Sequence, residues 1–241
     1  MPRRELVLLV AAVAGLATYL VASLSPAVEP PATPGVDCGP PSLPACWQAP
    51  RTFHLFFVHV PSAWAGYLAF GIVLAASLAY LRTASPRWDK VAEASAELGV
   101  LFTTMALVTG SLWMRAELGS FWRWEDARLT TTFVLWLAYL AYLAVRRGHL
   151  PRARARVAAA YGVAAFALAP ISYVSADVLR TSLHISLTST PSYMRGFNGP
   201  LLLSGVGVFT LLYVALLAAR MRITALSELA AEWREELEAR R

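Results

Sequence analysis

Residues Gly110–Thr132 read GSLWMRAELGSFWRWEDARLTTT, and what flanks them decides the fold. An apolar run lies on each side, 93–112 before and 129–146 after. Each is close to the length of about 20 residues that carries a helix across a bilayer. Between them stand three tryptophans (Trp113, Trp122, Trp124), Phe121, three acidic residues and three arginines. A connection between spans is usually short and bland. This one is aromatic-rich and ends on a carboxylate–arginine pair. Flat aromatic faces suit a flat, hydrophobic partner, and guanidinium groups suit carboxylates. An interfacial tryptophan belt, common at membrane surfaces, has the same composition.

Working outward, four more apolar runs appear, at 5–24, 55–81, 156–178 and 199–219. The 241-residue chain is 57% hydrophobic and 15% charged, with a mean hydropathy of +0.52. A soluble domain carries about 25% charged residues. The reading is an all-α, polytopic membrane protein with six transmembrane helices.

The net charge of +6 invites a nucleic-acid partner, but its distribution points to the bilayer. If the six spans alternate, one set of loops comprises the N-terminus, 82–92, 146–156 and the C-terminal tail, and it holds 15 of the 21 Lys and Arg residues. The other set keeps Arg51, Arg115, Arg123, Arg128, Arg180 and Arg195. Basic loops stay in the cytoplasm, so both termini are expected there. The six-span domain then covers 1–222, with external loops at about 25–54, 110–128 and 179–198. Residues 223–241 read as a cytoplasmic amphipathic helix with Leu226, Leu229, Trp233 and Leu237 on one face.

The first run follows Arg3 and Arg4, as in a signal peptide. It is longer than a usual signal core and leads to a weak cleavage site, which favours a retained span. The proline-rich loop after it holds the two cysteines, Cys38 and Cys46. In an external loop they fit a local disulfide. The second span opens with RTFHLFFVHVPSAW, placing His54 and His59 on different faces of a helix. Pro61 is expected to disturb that helix and free backbone near His59. Small residues at 94, 96, 99 and 106 should let the third helix approach its neighbours closely. Thr130–Thr132 are expected to satisfy the first backbone groups of the fourth span. Pro170 should kink the fifth. Leu179, Leu183 and Leu187 suggest a short surface helix beside His184. His149 sits in the most basic loop, on the opposite side from the other histidines, and reads as solvated.

His59, the tryptophan-rich loop and His184 are thus expected on one external face. Two imidazoles across a planar ring are the ligand set of six-coordinate haem iron, with indoles as walls. Arg115, Arg123, Arg128 and Arg180 are candidate partners for its propionates. No Cys-x-x-Cys-His stretch occurs, so attachment would be non-covalent. Zinc is the rival for paired histidines, but no His-Glu-x-x-His run occurs either. There is no phosphate-binding glycine loop and no serine-nucleophile or paired-carboxylate hydrolase pattern, which argues against an enzyme. A purely structural subunit with an aromatic belt remains a third reading.

The run Thr109-Gly-Ser-x-Trp113, continuing as Gly119-Ser-x-Trp122-x-Trp124-Glu-Asp-Ala-Arg128-Leu-Thr130, resembles the tryptophan-rich "WWD" haem-handling motif. With FFVHVPSAW at 56–64 and TSLH at 181–184, the chain resembles the haem exporter protein C family of cytochrome c maturation system I, over about 51–222. The resemblance implies non-covalent haem b held on the periplasmic face of the bacterial inner membrane. It makes His59 and His184 the axial ligands and Trp113, Trp122, Trp124, Asp126 and Arg128 the motif residues. Glu125 and Asp126 stand where the motif has one carboxylate, so the resemblance allows either to be its counterpart. The implied partners are a periplasmic haem chaperone, ABC-transporter subunits and a small membrane subunit. A system II haem channel is a relative in the same superfamily, but it is larger and has more histidines.

Overall fold

The computed structural model describes residues 3–25, 28, 53–147, 151–179 and 199–240. His149, His184, Arg180, Cys38, Cys46 and the pattern through Leu183 and Leu187 lie outside them. Among the described residues the chain is helical, without strands: α1 (Arg3–Ser23), α2 (Phe53–Thr83), α3 (Pro86–Leu118), α4 (Ala127–Arg146), α5 (Pro151–Ala165), α6 (Leu168–Leu179) and α7 (Gly199–Ala239). Six stretches are long and apolar enough to cross a membrane, α5 and α6 together supplying one, Ala155–Ala176. The all-helical, six-span expectation holds.

Two prolines act differently from one another. The break between α5 and α6 falls at Phe166–Ala167, four residues before Pro170. A proline ring clashes with the carbonyl four residues back, here that of Phe166, and supplies no N–H to it. Tightened bonds carry the chain across: the Ala167 N–H donates to Ala164 and the Ala169 N–H to Phe166. Pro61 instead lies inside an unbroken α2, which corrects the expected disturbance. The carbonyl it orphans, that of Phe57, accepts a hydrogen bond from the Tyr19 hydroxyl of α1 at 2.7 Å. The Tyr19 ring lies so close over Gly205 of α7 that a Cβ there would collide with it. A neighbouring helix thus replaces the donor that proline removes.

Helices α2 and α3 form the central pair. Gly66 lies against Thr103, and Gly99 lies under the Phe70 ring with no room for a Cβ. Ala94, Ala96, Gly99 and Ala106 of α3 are buried, as their small size predicts. One apolar cluster joins this pair to α4 and α5 through Phe70, Leu135, Tyr139 and Tyr142. The other joins it to α1 and α7 through Tyr19, Phe57, Phe102 and Phe209.

At the end where α2 gives way to α3, ion pairs do the fastening. Arg146 of α4 grips Asp89 at 2.6 and 2.8 Å and reaches Glu93 at 3.2 Å. Arg220 of α7 holds Glu97 through two bonds of 2.6 and 3.0 Å. The segment read as a separate C-terminal helix is continuous with the last span, and α7 runs 41 residues without a break. At 1.5 Å per residue that is about 60 Å, twice what a bilayer core needs. Ile223, Leu226, Leu229, Trp233 and Leu237 are all exposed along its far half.

Candidate functional site

The opposite end of the bundle gathers the sequence-predicted site residues that the structure describes. His59 lies on α2, half-buried, and turns towards α3. Its Nδ1 is 2.9 Å from the Ala106 carbonyl and 3.2 Å from the Thr109 hydroxyl. A carbonyl only accepts, so Nδ1 carries the proton and, in the neutral ring, Nε2 carries the lone pair. Gly110 makes the room: a Cβ there would come within 2.9 Å of the His59 Cε1. Ala106, Thr109, Gly110 and Trp113 recur at helical spacing and so share one stripe of α3. Trp113 is half-buried one turn beyond Thr109.

His54 is occupied elsewhere. Its Nδ1 donates to the Ser23 carbonyl at 2.7 Å and so caps the end of α1. The two histidines face different helices, as their five-residue separation requires.

Helix α3 runs on to Leu118, so the first nine residues of the Gly110–Thr132 stretch are helical and the connection proper spans only 119–126. Gly119 ends the helix in the left-handed region, at φ 73°, which glycine adopts without strain. Arg115 donates to the Gly119 carbonyl and lies over the Phe121 ring, while Arg123 donates to the Leu118 carbonyl at 3.3 Å. Both cations are thus set at the negative end of the helix dipole.

Trp122 and Trp124 meet edge to face, with ring centroids 5.4 Å apart. Trp122 also meets Phe133 of α4 at 5.3 Å, and Phe133 stacks on Trp136. Trp136 is fixed in turn by its bond to the Thr104 hydroxyl of α3 at 2.8 Å. The aromatic wall therefore has four members, two of which the motif does not include. Their signal was the Phe133–Trp136 spacing of three on a helix. Trp124 is 67% exposed. The Trp122 Nε1–H is buried and has no acceptor among the described residues.

The two carboxylates separate cleanly. Asp126 is 1% exposed and is the N-cap of α4, accepting from the Leu129 N–H at 2.8 Å. Glu125 is exposed. Asp126 thus does the capping expected of Thr130–Thr132, because an N-cap side chain must sit just before the helix. Thr130 and Thr131 donate instead to the carbonyls of Trp124 and Ala127. Arg128, expected as a carboxylate clamp, reaches across to α6. It donates to the Tyr173 carbonyl at 2.8 Å and lies over the Tyr173 ring.

The arrangement offers an imidazole whose Nδ1 proton is engaged, an exposed indole face and guanidinium groups at one end of a membrane bundle. No group of three or more His, Cys, Asp or Glu residues able to hold a metal ion occurs among the described residues. That leaves the zinc reading without a ligand cluster there.

Comparison with known proteins identifies a family. Residues 11–235 match the family model of Heme exporter protein C. A Heme exporter protein C of Bradyrhizobium diazoefficiens is 37% identical over 74% of this chain and 69% of its own. Namesakes from Haemophilus influenzae and Escherichia coli K12 are 30% and 32% identical, each over 80% of this chain and 80% and 79% of their own lengths. The chain belongs to the Heme exporter protein C family.

Proposed function

We propose that this protein binds haem b non-covalently on the outer face of a bacterial inner membrane, between His59 and His184, and hands it to a periplasmic haem chaperone during cytochrome c maturation. The observation that carries the reading is His59, an imidazole whose Nδ1 is engaged by the Ala106 carbonyl. A ligand histidine is held in this way, with the second nitrogen bonded so that the ring is oriented and the donor nitrogen defined.

The surrounding residues fit the same cargo. Trp122 and Trp124 offer indole faces to the macrocycle, and the Trp122 Nε1–H is a donor for a propionate oxygen. Arg115 and Arg123 bond only neutral carbonyls in the contacts described above, so their charge remains for an anionic edge. Trp113 extends the stripe of α3 that touches His59. Asp126 and Arg128 serve by fixing the start of α4, which carries Phe133 and Trp136. The distribution of Lys and Arg supports cytoplasmic termini, with this end outside. ABC-transporter subunits and a small membrane subunit are the proposed partners of the full complex. Cys38 and Cys46, in a loop that the sequence reading puts on the same outer side, are proposed as a local disulfide. Release to the chaperone requires exchange of the axial imidazoles and no covalent chemistry in this chain.

The test is the visible spectrum of the protein purified from haem-supplied cells. A low-spin Soret band is expected, weakened or shifted by His59→Ala and by His184→Ala and left unchanged by His149→Ala. A folded protein without the band overturns the reading and leaves the aromatic belt as the account of the tryptophans. If His54→Ala alone abolishes the band, the ligand assignment is wrong.

A further inference from the structure

We propose that the Ala106–Thr109–Gly110 turn of α3 is a positioning device that fixes both the tautomer and the place of the His59 ring, and so selects Nε2 as the nitrogen presented to iron. Its role rests on the haem reading above; its geometry does not.

Three contacts from one helical turn converge on one ring. The Ala106 carbonyl lies 2.9 Å from Nδ1 and can only accept. The Thr109 hydroxyl lies 3.2 Å from the same nitrogen and already donates to the Met105 carbonyl at 2.7 Å. It therefore meets Nδ1 with a lone pair. Both neighbours demand a proton on Nδ1, the tautomer that free imidazole side chains adopt less often in water. Gly110 closes the cradle. A methyl group there would meet Cε1 at 2.9 Å and Nδ1 at 3.3 Å. The ring would have to move, and the Nδ1 bond with it.

The opposing helix is braced to match. Pro61 lies two residues beyond His59 and orphans the Phe57 carbonyl, which the Tyr19 hydroxyl takes up. The segment of α2 that carries His59 is therefore tied to α1 on one side and to α3 on the other. A backbone carbonyl that takes the Nδ1 proton also makes the imidazole a stronger donor through Nε2. Loss of that bond should weaken ligation and raise the reduction potential, because a stronger donor favours the ferric state.

The experiment has a haem-free arm and a loaded arm. In haem-free protein labelled with nitrogen-15 histidine, NMR assigned with the His59→Ala variant should find His59 protonated at Nδ1. The ring is the free end of a side chain, so Gly110→Ala should leave the protein folded while disturbing that signal. In the loaded protein, Gly110→Ala should weaken haem retention at least several-fold and raise the potential. Thr109→Val, nearly isosteric, should do the same more mildly. Gly110→Ala should add nothing once His59 is alanine. Protonation at Nε2 overturns the proposal. So does a wild type that binds haem through His59 alongside a Gly110→Ala variant of unchanged spectrum and potential. If the Nδ1–H tautomer is found and wild type takes no haem, the haem reading fails and the cradle stands.

Discussion

The two ends of the bundle are fastened by opposite means. Where α2 turns into α3, cations meet carboxylates: Arg146 with Asp89 and Glu93, Arg220 with Glu97, Lys90 with Glu228. Where α3 turns into α4, cations and histidines meet carbonyls: Arg115 with Gly119, Arg123 with Leu118, Arg128 with Tyr173, His54 with Ser23 and His59 with Ala106. A carboxylate cancels a charge, whereas a carbonyl only orients it. One end is therefore neutralised and locked, and at the other Arg115 and Arg123 keep oriented positive charge beside exposed aromatic rings. This contrast suits a scaffold at one end and a site for a flat, anionic ligand at the other.

The largest stability effect is expected at the locked end. Asp89→Ala removes the two-bond partner of Arg146, whose side chain is 7% exposed. Glu93 at 3.2 Å remains as a weaker partner, so the cost should fall towards the lower end of the roughly 3–5 kcal/mol of a fully stranded buried charge. Unfolding of the detergent-solubilised protein, followed by circular dichroism, should show a loss of that order. The double variant Asp89→Leu with Arg146→Leu should recover most of it, because neither charge is then buried alone. A double variant as unstable as the single one would mean that the pair is needed for more than mutual neutralisation.

At the end proposed to hold haem the order of effects should reverse. The Arg123 bond to Leu118 is long, so Arg123→Gln should change stability by no more than about 0.5 kcal/mol. Its charge is worth more to an anionic ligand, on the order of 1 kcal/mol in a largely aqueous setting, or a factor of roughly 5 in affinity. Haem titration of haem-free protein should show that loss at low salt and less of it at high salt. Equal loss at both would argue for a packing role for Arg123 instead.

How much of this was legible in the sequence follows from what each feature depends on. Span number depends on hydropathy over about 20 residues, which a sequence states directly. The small residues of α3 announced a close helix contact because size alone decides it. Helix α3 runs six residues past 112, where the apolar run ends, and Gly119 with Arg115 one turn earlier is a C-terminal signal. Asp126 was one of two candidates for the motif carboxylate, and its position just before α4 would also have marked it as a cap. The break before Pro170 was expected near the proline and falls four residues earlier, where the ring strikes the carbonyl. The grip of Arg146 on Asp89 joins residues 57 apart and depends on how α3 and α4 pack. The carbonyl of Ala106 leaves no mark at all, since every residue has one. What the sequence conceals most completely is the backbone partner of His59.

The smallest effect should come from Lys90 and Glu228, a pair at 2.5 Å whose side chains are 34% and 47% exposed. Distance alone would rank it with the Arg146–Asp89 pair, and burial ranks it far below. Exposed pairs are worth about 0–1 kcal/mol, because water screens the attraction and ordering two long side chains offsets it. Lys90→Ala should therefore change global stability by less than about 1 kcal/mol and leave haem titration untouched. Its consequence should be local. Arg220–Glu97 already anchors α7 two turns earlier, so loss of Lys90 frees only the helix beyond Glu228. Amide exchange there should quicken while exchange in α2 and α3 stays the same, and added salt should mimic the substitution. If Lys90→Ala costs as much as Asp89→Ala, burial is the wrong measure of these ion pairs, and the locked end owes its strength to the number of pairs.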